Sequence, residues 1–142
     1  MENLPYASSR EKIAALARAL KGGPTIELEV RHHFSEGVYA RELIIPKGTV
    51  LVGKIHKKEN LNIVTKGLLH VVTEEGLKTM QAGDVVVSPR GVQRAGYALE
   101  DSVWITVHGT HETDLEKIEA EFVAQDEAEY LAYSKVIEIE GD

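Results

Sequence analysis

The sequence predicts an all-β fold, a small antiparallel barrel or sandwich with a helix at each end. Short runs rich in β-branched residues follow one another through the centre of the chain, and turn signals containing glycine separate them. No stretch with helical periodicity lies between the runs, which excludes a parallel sheet with crossover helices. The runs are TIELEVRHHF, VYARELIIP, VLVGKIH, NLNIVTKG, LLHVVT, LKTM, DVVVS, VQRAGYA and SVWITVH.

Length and composition favour one soluble, folded domain. A chain of 142 residues with 43% hydrophobic and 27% charged residues is ordinary for a globular protein. Its 23 acidic and 16 basic side chains give a formal net charge of −7, which opposes binding to nucleic acid or to anionic lipid. We therefore expect neither nucleic acid nor a membrane among the partners.

The sequence also bears on the compartment. Cysteine is absent, so neither a disulfide framework nor a thiolate zinc site can form. The first residues, MENLPYASSREK, lack the basic-then-apolar order of a signal peptide, and no apolar run approaches the roughly 20 residues of a membrane span. These features predict a cytoplasmic protein.

Residues 1–24 form a predicted N-terminal helical segment. Ser8 and Glu11 have the spacing of a capping box, and Gly-Gly-Pro at residues 22–24 supplies a stop. We expect the apolar face of this helix to lie against the barrel or a neighbouring subunit. That face contains Ile13, Leu16, Ala17 and Leu20.

Residues 25–110 contain the predicted barrel, and residues 111–142 a C-terminal helix and tail of the same domain. Thr113 and Glu116 repeat the capping-box spacing. The end of the chain is ambiguous, because EYLAY extends a helix whereas KVIEIE alternates like an edge strand that pairs with a second subunit. The predicted buried face of the helix contains Leu115, Ile118 and Phe122.

Two linked motifs in the barrel region resemble those of the cupin superfamily. The first cupin motif reads G-x5-H-x-H-x3,4-E-x6-G, and the second reads G-x5-P-x-G-x2-H-x3-N. Every glycine and the proline are present in register. The resemblance implies a small single-domain cupin with a jelly-roll barrel. The first motif falls on Gly48, Lys54, His56, Asn60 and Gly67, and the second on Gly83, Pro89, Gly91, Arg94 and Ala98.

The same resemblance implies that the family's metal site is degenerate here. Metal-dependent cupins hold a divalent ion with three histidines and a glutamate. Only His56 remains, because Lys54, Asn60 and Arg94 occupy the other three positions. Lysine and arginine offer no lone pair and would repel a metal. We expect no metal and no other cofactor, unless other histidines rebuild the site. The candidates are His32, His33, His70 and His108.

Side-chain alternation predicts which residues face the barrel interior. The resulting cavity contains two cations, one imidazole and one or two amides over an aliphatic floor. The predicted inward groups are Val50, Val52, Lys54 and His56; Val92, Arg94 and Gly96; and Asn60, Asn62 and Val64.

Two cations inside a barrel need a negative partner, since an unpaired buried charge costs several kcal/mol. The partner is either an internal carboxylate or a bound ligand that carries a carboxylate or phosphate group. The sequence leaves both alternatives open. The carboxylates nearest the motif strands are Glu42, Glu59 and Asp84.

Three functions are compared on these residues. A metal-free binding or assembly protein would take a small anionic ligand in the pocket. A metal-free isomerase or epimerase of a carbonyl sugar-type substrate would use His56 as base, with Lys54 and Tyr97 in support. No carboxylate is assignable to orient His56, and alternation turns Tyr97 away from Arg94, so binding is favoured over catalysis. A metal-dependent oxygenase or isomerase is the weakest alternative. The predicted ligand-binding residues are Lys54, His56, Asn60 and Arg94.

Several other aromatic and imidazole side chains have predicted positions. His32 and His33 are adjacent, so their rings face opposite sides of a strand and do not chelate together. His108 and His111 are expected in a cap or loop. Trp104 is expected as a core anchor or a subunit-interface residue.

The resemblance further implies a homo-oligomer, because small cupins commonly pack one barrel face on another. Leu61, Ile63 and Ile55 are the apolar outer residues suited to that contact. The short chain with its terminal helix also looks similar to cupin-like proteins of bacteriophages. That likeness implies a location in the host cytoplasm or the virion, and a structural or assembly role in the virion as a further alternative.

Overall fold

The computed structural model describes residues 27–73 and 75–140, and the predicted N-terminal helix lies outside them. The described residues form eleven strands and two helices. The strands are β1 (Val30–Ser35), β2 (Val38–Ile45), β3 (Val50–Val52), β4 (Ile55–His56), β5 (Asn60–Lys66), β6 (Leu68–Thr73), β7 (Gly76–Gln81), β8 (Val85–Ser88), β9 (Ala95–Ala98), β10 (Ser102–Gly109) and β11 (Val123–Ala124). The helices are α1 (Leu115–Phe122) and α2 (Glu127–Glu140).

The strands form two larger sheets and one short ribbon, and every pair is antiparallel. One sheet has the order β1-β2-β10-β5-β8, the other β3-β9-β6-β7, and β4 pairs with β11. Apolar residues from the inner faces of both sheets pack into one buried cluster, which is the core of the barrel. The cluster contains Ile45, Val64, Leu69, Val71, Met80 and Ala98.

The predicted inward face of residues 50–56 is wrong, because the regular strand structure is interrupted between β3 and β4. The amide of Gly53 still follows the register of β3 with β9 and donates to the carbonyl oxygen of Arg94 at 2.8 Å, but the amide of His56 donates to Val92, one residue out of that register. The interruption shifts the alternation, so that Leu51 packs against the core while Val50 is 49% exposed. Val50 and Val52 therefore do not share the inward face of His56.

The four glycines of the two motifs lie at turns where the backbone has positive φ. The φ angles are 86° at Gly48, 93° at Gly67, 99° at Gly83 and 88° at Gly91. Gly67 has a second constraint, because a Cβ there would lie 2.6 Å from the Cα of Ser102 and would also overlap its side chain. These turns need glycine for conformation and, at Gly67, for space.

The C-terminal segment returns to the barrel. The N-cap of α1 is Asp114, whose carboxylate accepts from the amides of Glu116 and Lys117, so the predicted capping box at Thr113 is wrong. The carboxylate of Asp114 satisfies two free amides at the start of the helix. The hydroxyl of Thr113, one residue earlier, cannot do so. Residues 127–140 are helical throughout, so the helical alternative for the tail is correct and the edge strand is wrong.

Strand β11 covers part of the barrel wall. Val123 pairs with His56, and Ala124 pairs with Ile55. Ile55 is 3% exposed as a result, which corrects its predicted role as an outer contact residue. In the described part of the chain, neither helix has the length and apolar character needed to cross a membrane.

Replacing Gly67 by alanine is expected to lower the free energy of unfolding by about 3 kcal/mol or more, since strain of a left-handed residue adds to steric overlap. Gly48→Ala is the matched control, because its φ is similar but a Cβ would meet no described atom within 4 Å. The control should lose only about 1–2 kcal/mol. Urea unfolding measures both, and equal losses would contradict the packing role of Gly67.

Candidate functional site

A cavity of about 120 Å³ lies between the two sheets. Its apolar wall comes from side chains of both sheets, and two of its polar residues, Lys54 and His56, lie where the C-terminal segment contacts the barrel. The apolar wall includes Leu43, Ile45, Leu51, Leu69, Val71 and Trp104. The polar lining is Arg41, Lys54, His56, Asn62, Arg94 and Thr106.

The amide of Asn62 is the centre of the polar lining. Its oxygen accepts hydrogen bonds from Trp104 Nε1 and Thr106 Oγ1, both at 2.9 Å. Its nitrogen donates to Asn60 Oδ1 at 2.7 Å and to Ser88 Oγ at 2.9 Å. A side-chain amide has two donors and two acceptor lone pairs, so every hydrogen-bonding position of Asn62 is used inside the protein.

Arg94 is the cation inside the cavity. Its guanidinium donates to Ser88 Oγ and lies over the indole of Trp104, with Cζ 5.6 Å from the ring centroid. Burial lowers the pKa of Arg94 from its ordinary value, although the group stays protonated at neutral pH. Within the described ranges, Arg94 forms no ion pair with a carboxylate.

Lys54 lies at the mouth of the cavity rather than inside it, which corrects the predicted interior position. Its ammonium donates to Glu119 Oε2 and to Gln125 Oε1, each at 2.9 Å, and half of the side chain is exposed. The bond from Lys54 is the main cause that lowers the pKa of Glu119. The charge of Lys54 thus has an internal partner, and this partner is supplied by α1.

The neighbouring lysines attach the same C-terminal segment. Lys57 pairs with Glu129 at 3.1 Å and donates to the carbonyl oxygen of Ala120 at 2.8 Å. Lys58 pairs with Glu121 at 2.8 Å. Together with Lys54, these contacts hold α1 and the start of α2 against β4, which contains His56, and against the residues that flank it.

Asn60 does not line the cavity, although it was a predicted ligand-binding residue. Its side chain is buried, donates to the carbonyl oxygen of Lys58 at 3.1 Å, and accepts from Asn62. The adjacent amide on the same face of β5, Asn62, lines the cavity instead. Asn60 supports the network from behind.

His56 lines the cavity and stacks on His108. The ring centroids are 5.7 Å apart with an interplanar angle of 16°, and Phe122 lies 4.4 Å from the ring of His108. His108 lies in β10 and is 5% exposed, so its predicted loop position is wrong. The strand continues past it, because Gly109 still pairs with Val38.

Burial keeps both imidazoles neutral at pH 7. It lowers the pKa of His56 from 6.5 to about 4, with further lowering by His108 and Arg94. It likewise lowers the pKa of His108 to about 4, with Arg41 as the next cause. Neither Nδ1 atom has a hydrogen-bond partner among the described groups.

None of the three suggested internal carboxylates neutralises a cavity cation. Glu42 bonds His33 at 2.8 Å, Asp84 accepts from the amide of Gln81 at 2.8 Å, and Glu59 is exposed. The sequence pattern missed Glu119, because that partner comes from a helix 65 residues further along the chain.

The lining does not fit the metal of the cupin family. Two of the four ligand positions carry cations, and the amide at Asn60 is bonded internally and lies behind the wall. Among residues 27–73 and 75–140, no group of three or more His, Asp or Glu side chains is arranged to hold a metal ion. A divalent ion at His56 would have one imidazole and would face the charge of Arg94.

The remaining predicted residues lie outside the cavity. Tyr97 is 43% exposed on β9 and points away from the lining. His32 bonds the hydroxyl of Tyr39 at 2.7 Å whereas His33 bonds Glu42, so the two adjacent rings do face opposite sides. Arg41 is a lining residue that the motifs did not reveal, although its alternation with Leu43 on β2 would have indicated it.

A second cavity, of about 310 Å³, meets the first at shared lining residues. Its wall comes from β6, β7, β8 and the loop before β9. Arg90 lines the second cavity and not the first. The shared residues are Val71, Val92 and Arg94.

Solved structures that share this fold include proteins described as cupins. No protein-family model and no curated protein matches the sequence. KdgF from Halomonas sp. is 19% identical, with a TM-score of 0.53 over 66% of this chain and 88% of that chain. A cupin superfamily protein from Desulfitobacterium hafniense is 11% identical, with a TM-score of 0.52 over 64% and 84%.

A third structure names the fold. It is an RmlC-like cupin family protein with a double-stranded β-helix fold from Methanocaldococcus jannaschii, 16% identical, with a TM-score of 0.50 over 67% of this chain and 88% of that chain. At these identities the likeness establishes the fold. The barrel is a cupin jelly roll, which confirms the predicted fold class.

The folded protein is expected to lose stability as the pH falls from 6.5 to 5. Both imidazoles ionise more readily in the unfolded chain, so acid favours unfolding until the folded pKa of about 4 is reached. The full loss amounts to at most about 3 kcal/mol for each ring. Urea unfolding at several pH values in this range measures the loss of stability, because most carboxylates titrate at lower pH.

His108→Phe should reduce the slope of unfolding free energy against pH, because one of the two rings no longer titrates. His111→Phe is the matched control, since His111 is exposed, and it should leave the slope unchanged. An equal slope in the wild type and in His108→Phe would contradict the neutral buried pair.

Proposed function

We propose that this cupin barrel binds a small anionic molecule in the first cavity and does so without a metal. The observation that supports this most directly is the guanidinium of Arg94, which lies inside the cavity with no carboxylate partner among the described residues. A buried cation without a counter-charge is unfavourable until an anion binds to it. Five N–H donors in a planar fork suit a carboxylate or phosphate group.

The surrounding charges favour the same ligand. Arg41 also lines the cavity and forms no ion pair with a described side chain. Lys54 at the mouth is paired with Glu119, so the unpaired positive charges of the described lining are those of Arg94 and Arg41. The net charge of −7 makes this local excess of positive charge a feature of the cavity and not of the whole protein.

The isomerase alternative has less support. A pKa of about 4 makes His56 a weak base at neutral pH, and no described carboxylate bonds its Nδ1 atom. Lys54 is paired with Glu119, and Tyr97 lies outside the cavity lining. The three residues of that mechanism are not brought together.

Arg94→Gln is expected to weaken binding of small anions at least tenfold, because charge-assisted hydrogen bonds contribute about 1.5–3 kcal/mol. Calorimetric titration with acetate, inorganic phosphate and benzoate measures the affinity. Arg90→Gln is the matched control, since Arg90 lines only the second cavity of the two, and its affinity should stay within about twofold of the wild type.

Stability distinguishes this role from a structural one. Without ligand, Arg94→Gln should unfold at the same or a higher urea concentration than the wild type, because the variant removes an uncompensated buried charge. Lower stability of the unliganded variant, or unchanged affinity for every anion, would contradict the proposal.

We also propose that the protein self-associates, through a surface formed by Leu61, Ile63, Val85 and Val87. Leu61 pairs with Val87 and Ile63 with Val85 across β5 and β8. Val85 and Val87 are 59% and 58% exposed on an edge strand, so apolar area there is available for burial against a second copy. The phage origin, the place in host cytoplasm or virion and the virion role stay predictions from the sequence.

Val87→Lys is expected to shift the protein toward the monomer in sedimentation or light-scattering measurements, because a charge in an apolar contact opposes association. Leu77→Lys is the control, since Leu77 is 63% exposed on β7, the edge strand of the other sheet. A wild type that is monomeric at all concentrations, or equal effects of both substitutions, would contradict association through this surface.

A further inference from the structure

We infer that the ligand of the first cavity is an amphiphilic monocarboxylate, with a compact apolar body the size of a benzene ring or a chain of four to six carbons. This inference rests on the proposed anion binding. It adds the chemical class of the molecule, and it excludes polyhydroxylated acids such as sugar acids as the preferred ligands.

Apart from the imidazole of His56, the neutral hydrogen-bonding side chains that line the cavity are bonded to one another or to the network behind them. Asn62 is fully bonded, Trp104 Nε1 donates to it, and so does Thr106 Oγ1. A sugar-type ligand needs several such groups for its hydroxyls, and burying those hydroxyls without partners is unfavourable. The lining therefore offers little to a polyhydroxylated body.

The rest of the lining is apolar, and the cavity is small. Leu51, Leu69, Val71 and the face of Trp104 surround a space of about 120 Å³. A cavity of about 150 Å³ lined by aliphatic and aromatic side chains holds a molecule such as benzene. Shape and polarity thus fit a compact hydrocarbon group, whose burial favours binding.

The charged side chains of the cavity determine where the carboxylate group of the ligand binds and how much negative charge it carries. Within the described residues, the guanidinium of Arg94 donates one side-chain hydrogen bond, to Ser88, which leaves donors of its fork for two carboxylate oxygens. Lys54 is already paired with Glu119, and Arg41 is exposed at the rim. One unpartnered guanidinium in the interior matches one negative charge.

The test is a matched series of small molecules titrated calorimetrically into the full chain at pH 7. Benzoate and hexanoate carry both the charge and the body. Acetate and inorganic phosphate carry charge alone, gluconate carries charge with hydroxyls, and benzyl alcohol carries the body alone. Trp104 is the single tryptophan and lines the first cavity, so its fluorescence reports whether a ligand occupies that cavity.

The inference predicts that benzoate or hexanoate binds at least tenfold more tightly than acetate, phosphate, gluconate and benzyl alcohol, with a change in Trp104 fluorescence. If gluconate, acetate or phosphate bound as tightly as benzoate, the inference of an amphiphilic ligand would be wrong, but the proposed anion binding would stand. Benzyl alcohol binding as tightly as benzoate, or no binding by any compound, would overturn the anion-binding function as well.

A substitution in the wall tests the apolar body separately. Val71→Thr keeps the shape but adds a hydroxyl to the lining, so benzoate affinity should fall at least threefold while acetate affinity is unchanged. Val85→Thr, at an exposed valine of β8, is the control and should change neither. If Val71→Thr bound benzoate as tightly as the wild type, the apolar part of the ligand would not be buried against Val71.

Discussion

The saturated amide of Asn62 is the constraint on which the interior of this barrel depends. Four partners from three neighbouring strands surround it: Asn60 beside it on β5, Ser88 on β8, and Trp104 and Thr106 on β10. Because all four positions of a buried amide are used, the side chains around it have little freedom to rearrange. Arg94 is then held between two of these partners, with Ser88 as hydrogen-bond acceptor and the indole of Trp104 beneath the guanidinium. In this barrel a network of neutral groups positions one fixed positive charge.

The C-terminal segment supplies the second part of the arrangement. Strand β11 pairs beside His56, Phe122 lies against His108, and three lysines bind acidic side chains of α1 and α2. The segment therefore neutralises the cation at the mouth and covers the two imidazoles, which burial keeps uncharged. Among the described residues that line the cavity, Arg94 and Arg41 have no carboxylate partner, and Arg94 is the one that lies inside.

The sequence predicted those features that local sterics and alternation determine. The motif glycines all have positive φ, and Arg94 lines the cavity as its position in the second motif implied. Some failures have a local cause, such as the interruption between β3 and β4, and others involve a partner from a distant part of the chain. Lys54 turns outward because of Glu119, whereas Asn60 bonds other polar groups and leaves the lining position to Asn62. No single-strand pattern contains that information.

The C-terminal tail is a second case in which the local sequence pattern does not determine the structure. Its alternation KVIEIE is typical of an edge strand, yet the segment is helical. The helix begins where Glu129 meets Lys57 and where Tyr130 approaches Gly91, so close that a Cβ at Gly91 would lie 2.6 Å from its hydroxyl. The strand-like alternation of residues 135–140 thus lies in a helix whose first turns are docked on the barrel.

Anomalous diffraction from crystals soaked with bromide and a divalent transition metal tests the central claim most directly. A fixed guanidinium in place of a coordinated ion predicts a bromide peak beside Arg94 within the first cavity, with no metal peak there. A metal ion bonded to His56 at about 2.1 Å, the ordinary length of an imidazole–metal bond, would contradict it.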